Sequence, residues 1–173
     1  MDFAELVTQV RIKKELEPYN EDSRLLCFDP GHTTGWAFFV GTRLIYSGQI
    51  DTTDIPNCVT AVEDLFAETQ PNAIVMEDYR VYKWRAEHHV GSDMLTTRVI
   101  GSIETIAVQH FMPEIVKQPA HIAKGFCDNQ KLRAWNFYQK GNLRHANDAI
   151  RHGTYFILFG AIRKADKPTR TVG

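Results

Sequence analysis

The chain has 173 residues, of which 43% are hydrophobic, 11% aromatic and 24% charged. This length and composition fit one globular domain and exclude a chain that is disordered throughout. The longest apolar runs, such as Trp36 to Val40, are far shorter than the ~20 residues that span a membrane, and the acidic start of the chain does not resemble a signal peptide. We therefore expect a cytoplasmic protein without membrane contact.

The net charge of −1 conceals two oppositely charged halves. Residues 1–78 contain 5 Lys and Arg against 14 Asp and Glu, a net of −9, whereas residues 79–173 contain 15 against 7, a net of +8. Basic and aromatic side chains alternate between Lys117 and Arg151, as is typical of a surface that contacts phosphates, although a solvated helix face has the same pattern. Neither a disulfide framework nor a zinc site is supported by the three cysteines, which lack a CxxC spacing: Cys27, Cys58 and Cys127.

Hydrophobic periodicity predicts one mixed α/β domain. Glycines at two turns indicate an antiparallel meander of three strands near the start, and apolar residues at three- and four-residue spacing indicate the helices. The predicted elements in chain order are a helix over 1–17, strands over 25–29, 36–40 and 43–50, a helix over 57–69, a strand over 73–77, a helix over 92–112, a strand over 114–118, a loop containing Lys124, and helices over 128–138 and 143–159.

Three acidic residues occupy equivalent places in this arrangement. Asp29 ends the first strand, Glu77 ends the fourth, and Asp148 lies in the first half of the last helix. If the first and fourth strands are neighbours, the three carboxylates meet, and they repel one another unless a cation neutralises them. Oxygen ligands of this kind suit Mg²⁺ or Mn²⁺, and two such ions can hydrolyse a phosphodiester. Each acid has a simpler alternative as a turn, strand-end or helix-surface residue.

Two histidines flank the third acid on the last helix. His145 precedes Asp148 by three residues and His152 follows it by four, so both project from roughly the same face. One of them could be a metal ligand or a proton relay, and a structural role is the alternative for each.

Three segments in order resemble the RuvC-type Holliday junction resolvases, and most of all their phage-encoded relatives. They are LLCFDPGHTTGWAFF, IVMEDY and HANDAIRH, within residues 25–160. The resemblance implies an RNase H-like fold, in which a mixed five-stranded sheet is flanked by helices. It divides the chain into an N-terminal helical extension (1–23), a nuclease domain (24–163) and a flexible tail (164–173).

The resemblance implies that Asp29, Glu77 and Asp148 bind two Mg²⁺ or Mn²⁺ ions, with His145 in a position that many relatives fill with an acid. It also implies a homodimer through the helix predicted over 92–112, and a four-way junction or other branched DNA as the substrate. The DNA-binding residues that it suggests are aromatic or basic: Tyr79, Arg80, Tyr82, Lys83, Trp84, Arg85 and Lys124. The basic stretch between Lys117 and Arg151 adds Lys131 and Arg144.

We therefore predict a metal-dependent, structure-selective DNA endonuclease that resolves Holliday junctions by paired nicks, located in the host cytoplasm if a phage encodes it. An RNA-processing nuclease of the YqgF type and a non-catalytic DNA-binding domain are the alternatives. A sugar-kinase-like or actin-like ATPase is disfavoured because it needs two such domains, so we expect no nucleotide cofactor.

Overall fold

The structure, a computed structural model, describes residues 1–79, 94–110 and 115–160. Five strands form one sheet in the order β3-β2-β1-β4-β5. The first three strands are mutually antiparallel, whereas β1, β4 and β5 run parallel. The predicted mixed five-stranded sheet is confirmed. The strands are β1 (Arg24–Asp29), β2 (Thr33–Val40), β3 (Arg43–Asp51), β4 (Ala73–Asp78) and β5 (Ile115–Pro119).

Helices cover both faces of this sheet. They are α1 (Phe3–Lys13), α2 (Ile55–Thr69), α3 (Leu95–Gln109), α4 (Ala120–Phe126), α5 (Asn129–Ala134) and α6 (Arg144–Phe159). Among the helices described here, none is long and apolar enough to cross a membrane.

The two central strands are apolar on both sides because each face of the sheet has its own core. In β1, Leu26 and Phe28 pack with α2 and α3, whereas Leu25 and Cys27 pack with α1 and α6. All four side chains are fully buried. A continuous apolar run is what a strand covered by helices on both faces requires, and this places β1 at the centre of the sheet.

The N-terminal helix packs on the same core as the sheet. Phe3 and Val7 are buried in the cluster that α6 also lines. The Arg11 guanidinium donates hydrogen bonds to the carbonyl oxygens of Ile157, at 2.9 Å, and Gly160, at 3.0 Å, near the end of α6. These contacts join α1 to the helix that contains Asp148, while the division at residue 23 stays a prediction.

Two predicted elements differ in the segment after β5. The predicted loop around Lys124 is the short helix α4, which begins directly after Pro119; its seven residues are too few to show a hydrophobic period. The helix predicted over 128–138 ends at Ala134, because Asn136 adopts the left-handed conformation with φ of 59°. The correction to α4 matters because it positions Lys124.

Candidate active site

Three carboxylates converge where the two central strands end. β1 and β4 pair in parallel with Phe28 opposite Met76, so Asp29 and Glu77 follow at the same edge of the sheet. Helix α6 packs across β1, β2 and β4, and it brings Asp148 to that edge. Asp29 and Asp148 are each only 5% exposed, while Glu77 is half-buried. The sequence-predicted acids therefore form one cluster, which lies mostly out of solvent.

The ammonium of Lys124 lies among the three acids. Its Nζ atom is 2.9 Å from Glu77 Oε2, 3.2 Å from Asp148 Oδ2 and 3.6 Å from Asp29 Oδ1. The sequence placed Lys124 in a loop facing DNA, whereas α4 points it into the acidic cluster. The three carboxylates thus surround the Lys124 ammonium, and a DNA contact by Lys124 stays a prediction.

His145 contacts the first acid. Its Nδ1 atom lies 2.7 Å from Asp29 Oδ2, and burial lowers the pKa of the imidazole, which favours a neutral ring donating Nδ1–H to this oxygen. Its backbone N–H donates to Gln49 Oε1 at 2.9 Å, which attaches the start of α6 to β3. Gly35 in β2 permits this approach, because a Cβ atom there would overlap the carbonyl of His145.

His152 contacts the second acid, although sequence reasoning gave it less weight than His145. The ring is fully buried, with Nε2 3.3 Å from Glu77 Oε2 and Nδ1 3.1 Å from Gln118 Oε1. The helical spacing shows that both histidines share a face with Asp148, but it does not show which strand each ring meets.

Arg151 pairs with the third acid, although in the sequence it is only one of several basic residues between Lys117 and Arg151. Its guanidinium donates hydrogen bonds to Asp148 Oδ1, to the carbonyl oxygen of Cys127 at 2.8 Å, and to Asn129 Oδ1. The side chain therefore links α6 to the segment between α4 and α5. The three-residue spacing from Asp148 was the available signal for this ion pair.

The pKa values of Asp29 and Glu77 are shifted in opposite directions, because the two acids lie close together in a largely buried place. Burial, together with the neighbouring Glu77, raises the pKa of Asp29 to about 8. Burial alone would also raise the pKa of Glu77, but hydrogen bonds from His152, Asp29 and Lys124 lower it to about 2. Although burial opposes its charge, the acids around Lys124 raise the pKa of its ammonium. The cluster therefore favours a bound cation and retains a proton on Asp29 at neutral pH.

These groups fit a divalent metal ion. One ligand atom each from Asp29, Glu77 and His152 lies within 4.8 Å of the others, and the Lys124 ammonium is a cation already held by the carboxylates. Oxygen-rich sites of this type suit Mg²⁺ and Mn²⁺. Among the described residues, every buried side-chain nitrogen or oxygen has a hydrogen-bond partner, so the cluster is fully satisfied as a polar network.

A groove of about 530 Å³ opens beside Asp148. It is lined by the basic side chains of Lys124, Arg144 and Arg151, and by Tyr138. Of the predicted DNA-binding residues, Arg144 lines this groove, Lys131 stacks its ammonium 4.5 Å from the centre of the Phe126 ring, and Tyr79 is half-buried just after β4. The others lie outside the described residues: Arg80, Tyr82, Lys83, Trp84 and Arg85.

No protein-family model matches this chain, and no curated protein sequence matches it. Several solved structures share its fold. The RuvC protein of Thermus thermophilus in complex with a Holliday junction substrate has a TM-score of 0.61 at 13% identity, covering 76% of this chain and 90% of RuvC. The yeast mitochondrial Holliday junction resolvase Ydc2 has a TM-score of 0.50 at 11% identity, covering 87% of this chain and 83% of Ydc2.

The Holliday junction resolvase of fowlpox virus also has a TM-score of 0.50, at 13% identity, covering 78% of this chain and 97% of the viral protein. The arrangement of the sheet and its helices is thus that of the RuvC-type resolvases, and the predicted RNase H-like fold is confirmed. At these identities the similarity concerns the fold, so the argument for an activity depends on the residues of the site.

Proposed function

We propose that this chain is a metal-dependent endonuclease that resolves four-way DNA junctions and other branched DNA by paired nicks. The observation that supports this most strongly is the convergence of Asp29, Glu77 and Asp148 around one cation. Two of these carboxylates are buried, and buried acids are costly unless a cation or proton compensates them. A chain that only bound DNA would gain affinity by losing such charges beside phosphates.

In this proposal the three carboxylates hold two ions of Mg²⁺, or of Mn²⁺, with His145 as a further ligand. Bound ions of this kind supply a nucleophilic water and stabilise the oxygen that leaves in phosphodiester hydrolysis. The product of each cut then has a 5′-phosphate and can be sealed by a ligase. Arg151 keeps Asp148 oriented, because its guanidinium also donates to two groups of the neighbouring segment.

Lys124 has two roles in this proposal. In the metal-free protein its ammonium neutralises the acids, with the shortest of its three contacts, 2.9 Å, to Glu77. Its side chain also lines the groove beside Asp148, so an ammonium released from the carboxylates can contact the phosphate of the strand to be cut. A metal ion that replaced the ammonium at the carboxylates would thereby free Lys124 to contact the DNA backbone.

The proposed DNA surface extends along the groove. Arg144 lines it, and Lys131 lies nearby on α5. The basic and aromatic residues that follow β4 are assigned to the branch point, where aromatic rings stack on exposed bases. They are Tyr79, Arg80, Tyr82, Lys83, Trp84 and Arg85.

Paired nicks require two active sites, so we propose a homodimer through α3. This helix exposes Val108, which is 71% accessible, and an apolar groove runs between α3 and α2 past Val59 and Ile106. The mass of the particle in solution, measured by light scattering, tests this arrangement. A monomer at concentrations where junctions are cut in pairs would overturn it.

The deciding experiment is cleavage of a labelled synthetic four-way junction with Mg²⁺ or Mn²⁺, beside linear duplex, flap and RNA–DNA hybrid substrates. We expect symmetric paired nicks on the junction. Asp148→Asn should lose cleavage and keep junction binding, whereas Asp64→Asn, an exposed carboxylate on α2, should cut normally.

The other outcomes identify the alternatives. Binding without cleavage in either metal would support a non-catalytic DNA-binding domain. Cleavage of RNA alone would keep the metal site and support an RNA-processing nuclease of the YqgF type. A role in DNA recombination is proposed only together with the first outcome.

A further inference from the structure

We propose that His152 is a nitrogen ligand of the metal site and that Gln118 orients its ring. The inference depends on the metal site of the proposed function, and it extends that site by a residue outside the acids and His145. A nitrogen ligand changes which ion the site prefers.

The ring of His152 is inserted between two neighbouring strands. Glu77 in β4 and Gln118 in β5 are directly paired across the parallel ladder. The His152 side chain projects from α6 and contacts both residues. Its Nδ1 atom is 3.1 Å from Gln118 Oε1, and its Nε2 atom is 3.3 Å from Glu77 Oε2. The imidazole is 0% exposed and Gln118 is 7% exposed, so neither exchanges this contact for water.

The contact with Gln118 determines which ring nitrogen faces the acids. An amide oxygen can only accept, so Nδ1 donates to Gln118. Nε2 is therefore the ring atom on the side of the carboxylates, and in the metal-free chain it shares a proton with Glu77 Oε2 at 3.3 Å, which a bound metal ion would replace. One ligand atom each from His152, Asp29 and Glu77 lies within 4.8 Å of the others. Histidines that bind metals characteristically donate their second N–H to an oxygen acceptor in this way.

The neighbouring ammonium supports the same assignment. Nε2 lies 3.3 Å from Glu77 Oε2, so a cation bound to this oxygen is also close to the ring nitrogen. Lys124 provides a cation at 2.9 Å from the same Glu77 oxygen. A divalent ion in place of the ammonium would be shared by Asp29, Glu77 and His152.

A nitrogen donor favours Mn²⁺ over Mg²⁺, because Mg²⁺ prefers oxygen ligands and imidazole suits transition metals. His152→Gln keeps a polar side chain in this position but removes the imidazole nitrogen. We expect it to weaken Mn²⁺ binding at least about tenfold while changing Mg²⁺ binding much less. Isothermal titration calorimetry with each metal measures both affinities.

Pulsed EPR of the Mn²⁺-loaded chain tests the ligand directly, because a coordinated imidazole gives a nitrogen hyperfine coupling. Because His145 is also a ligand in the proposed site, the comparison is made in the His145→Gln background. We expect the coupling in His145→Gln and its loss in the double variant His145→Gln/His152→Gln. Gln118→Leu removes the acceptor, and we expect it to lower Mn²⁺ affinity about tenfold, with recovery in Gln118→Glu. The Gln118 pair decides the question if His152→Gln fails to fold.

The proposal is overturned if His145→Gln binds Mn²⁺ without nitrogen coupling, if the coupling survives in the double variant His145→Gln/His152→Gln, or if both Gln118 variants bind Mn²⁺ with wild-type affinity. Those results would leave the proposed nuclease intact, since junction cleavage tests it separately. A chain that binds neither metal would overturn the metal site itself, and with it both proposals.

Discussion

The Nζ atom of Lys124 lies 2.9 Å from Oε2 of Glu77, within a cluster that also contains Asp29 and Asp148. A lysine here and a metal ion at the same carboxylates compete for the same negative charge. The side chain of Lys124 is 35% exposed, so it can leave the cluster for the adjoining groove without unfolding α4. Metal-free and metal-loaded chains should therefore differ in the position of this side chain.

Replacing the ammonium tests that competition. We expect Lys124→Met to bind Mg²⁺ more tightly, because no internal cation has to be displaced. Without metal, the same variant should lose folding stability, since the carboxylates then repel one another. The loss should be only about 1 kcal/mol, because solvent screens the charge of the partly exposed ammonium. Calorimetric titration and denaturant unfolding in a chelator measure the two effects.

Lys140→Met is the matched control, because Lys140 is exposed and is not the lysine that pairs with the acids. This control variant should leave both the Mg²⁺ affinity and the folding stability of the metal-free chain unchanged. Equal metal affinity in the wild-type chain and Lys124→Met would show that the ammonium does not compete with the ion.

The raised pKa of Asp29 predicts that removing its charge stabilises the metal-free chain. The folded-state pKa of Asp29, about 8, lies above the pKa of the same carboxyl in the unfolded chain. The contribution of Asp29 to folding stability is therefore present in full below about pH 4 and is lost as the pH rises towards about 8. Asp29→Asn has no such loss. Its stability advantage over the wild-type chain should grow between about pH 4 and pH 8, by at most about 1.4 kcal/mol per pH unit, and then level off.

Urea unfolding in a chelator at several pH values measures this advantage. The same substitution should abolish cleavage, so stability and activity should change in opposite directions. Asp64→Asn on α2 is the control and should show a constant difference from the wild-type chain across this range. A difference independent of pH in Asp29→Asn would mean that Asp29 is ionised in the folded chain.

The meeting of Asp29 and Glu77 was predictable because it depends on strand order alone. Asp29 and Glu77 end apolar runs, and parallel neighbours deliver their ends to one edge. The position of Lys124 was not predictable, since α4 is too short for a hydrophobic period. The roles of Arg151 and His152 require knowledge of which segments face α6, because helical spacing shows only that residues share a face.

Arg151 should contribute to both stability and metal affinity. It donates hydrogen bonds to Asp148 and to the carbonyl oxygen of Cys127, and its side chain is only 11% exposed. We expect Arg151→Met to cost about 2–3 kcal/mol of folding stability, because a buried carboxylate loses one of its two cationic partners and keeps only Lys124. Mg²⁺ affinity should also fall, since the carboxylate loses its fixed orientation.

Arg151→Lys should recover only part of the loss, because an ammonium cannot bridge the three acceptors that the guanidinium contacts. Arg43→Met, at an exposed position of β3, should be neutral. Denaturant unfolding and calorimetric titration provide the two measurements. Wild-type stability in Arg151→Met would show that the link between α6 and the α4–α5 segment is dispensable.

Gly35 should be essential for the contact between β2 and α6. A Cβ atom at this position would overlap the backbone carbonyl of His145, which cannot move aside as a flexible side chain would. We expect Gly35→Ala to cost about 3 kcal/mol of folding stability and to displace His145 from Asp29, so that metal affinity falls as well.

Gly101→Ala is the matched control, because nothing lies within 4 Å of its added Cβ and the residue is inside α3. It should stabilise the chain by about 0.5–1 kcal/mol, since alanine is the better helix former. Thermal unfolding of the two variants, measured side by side, would refute the close approach of α6 to β2 if both proved equally stable.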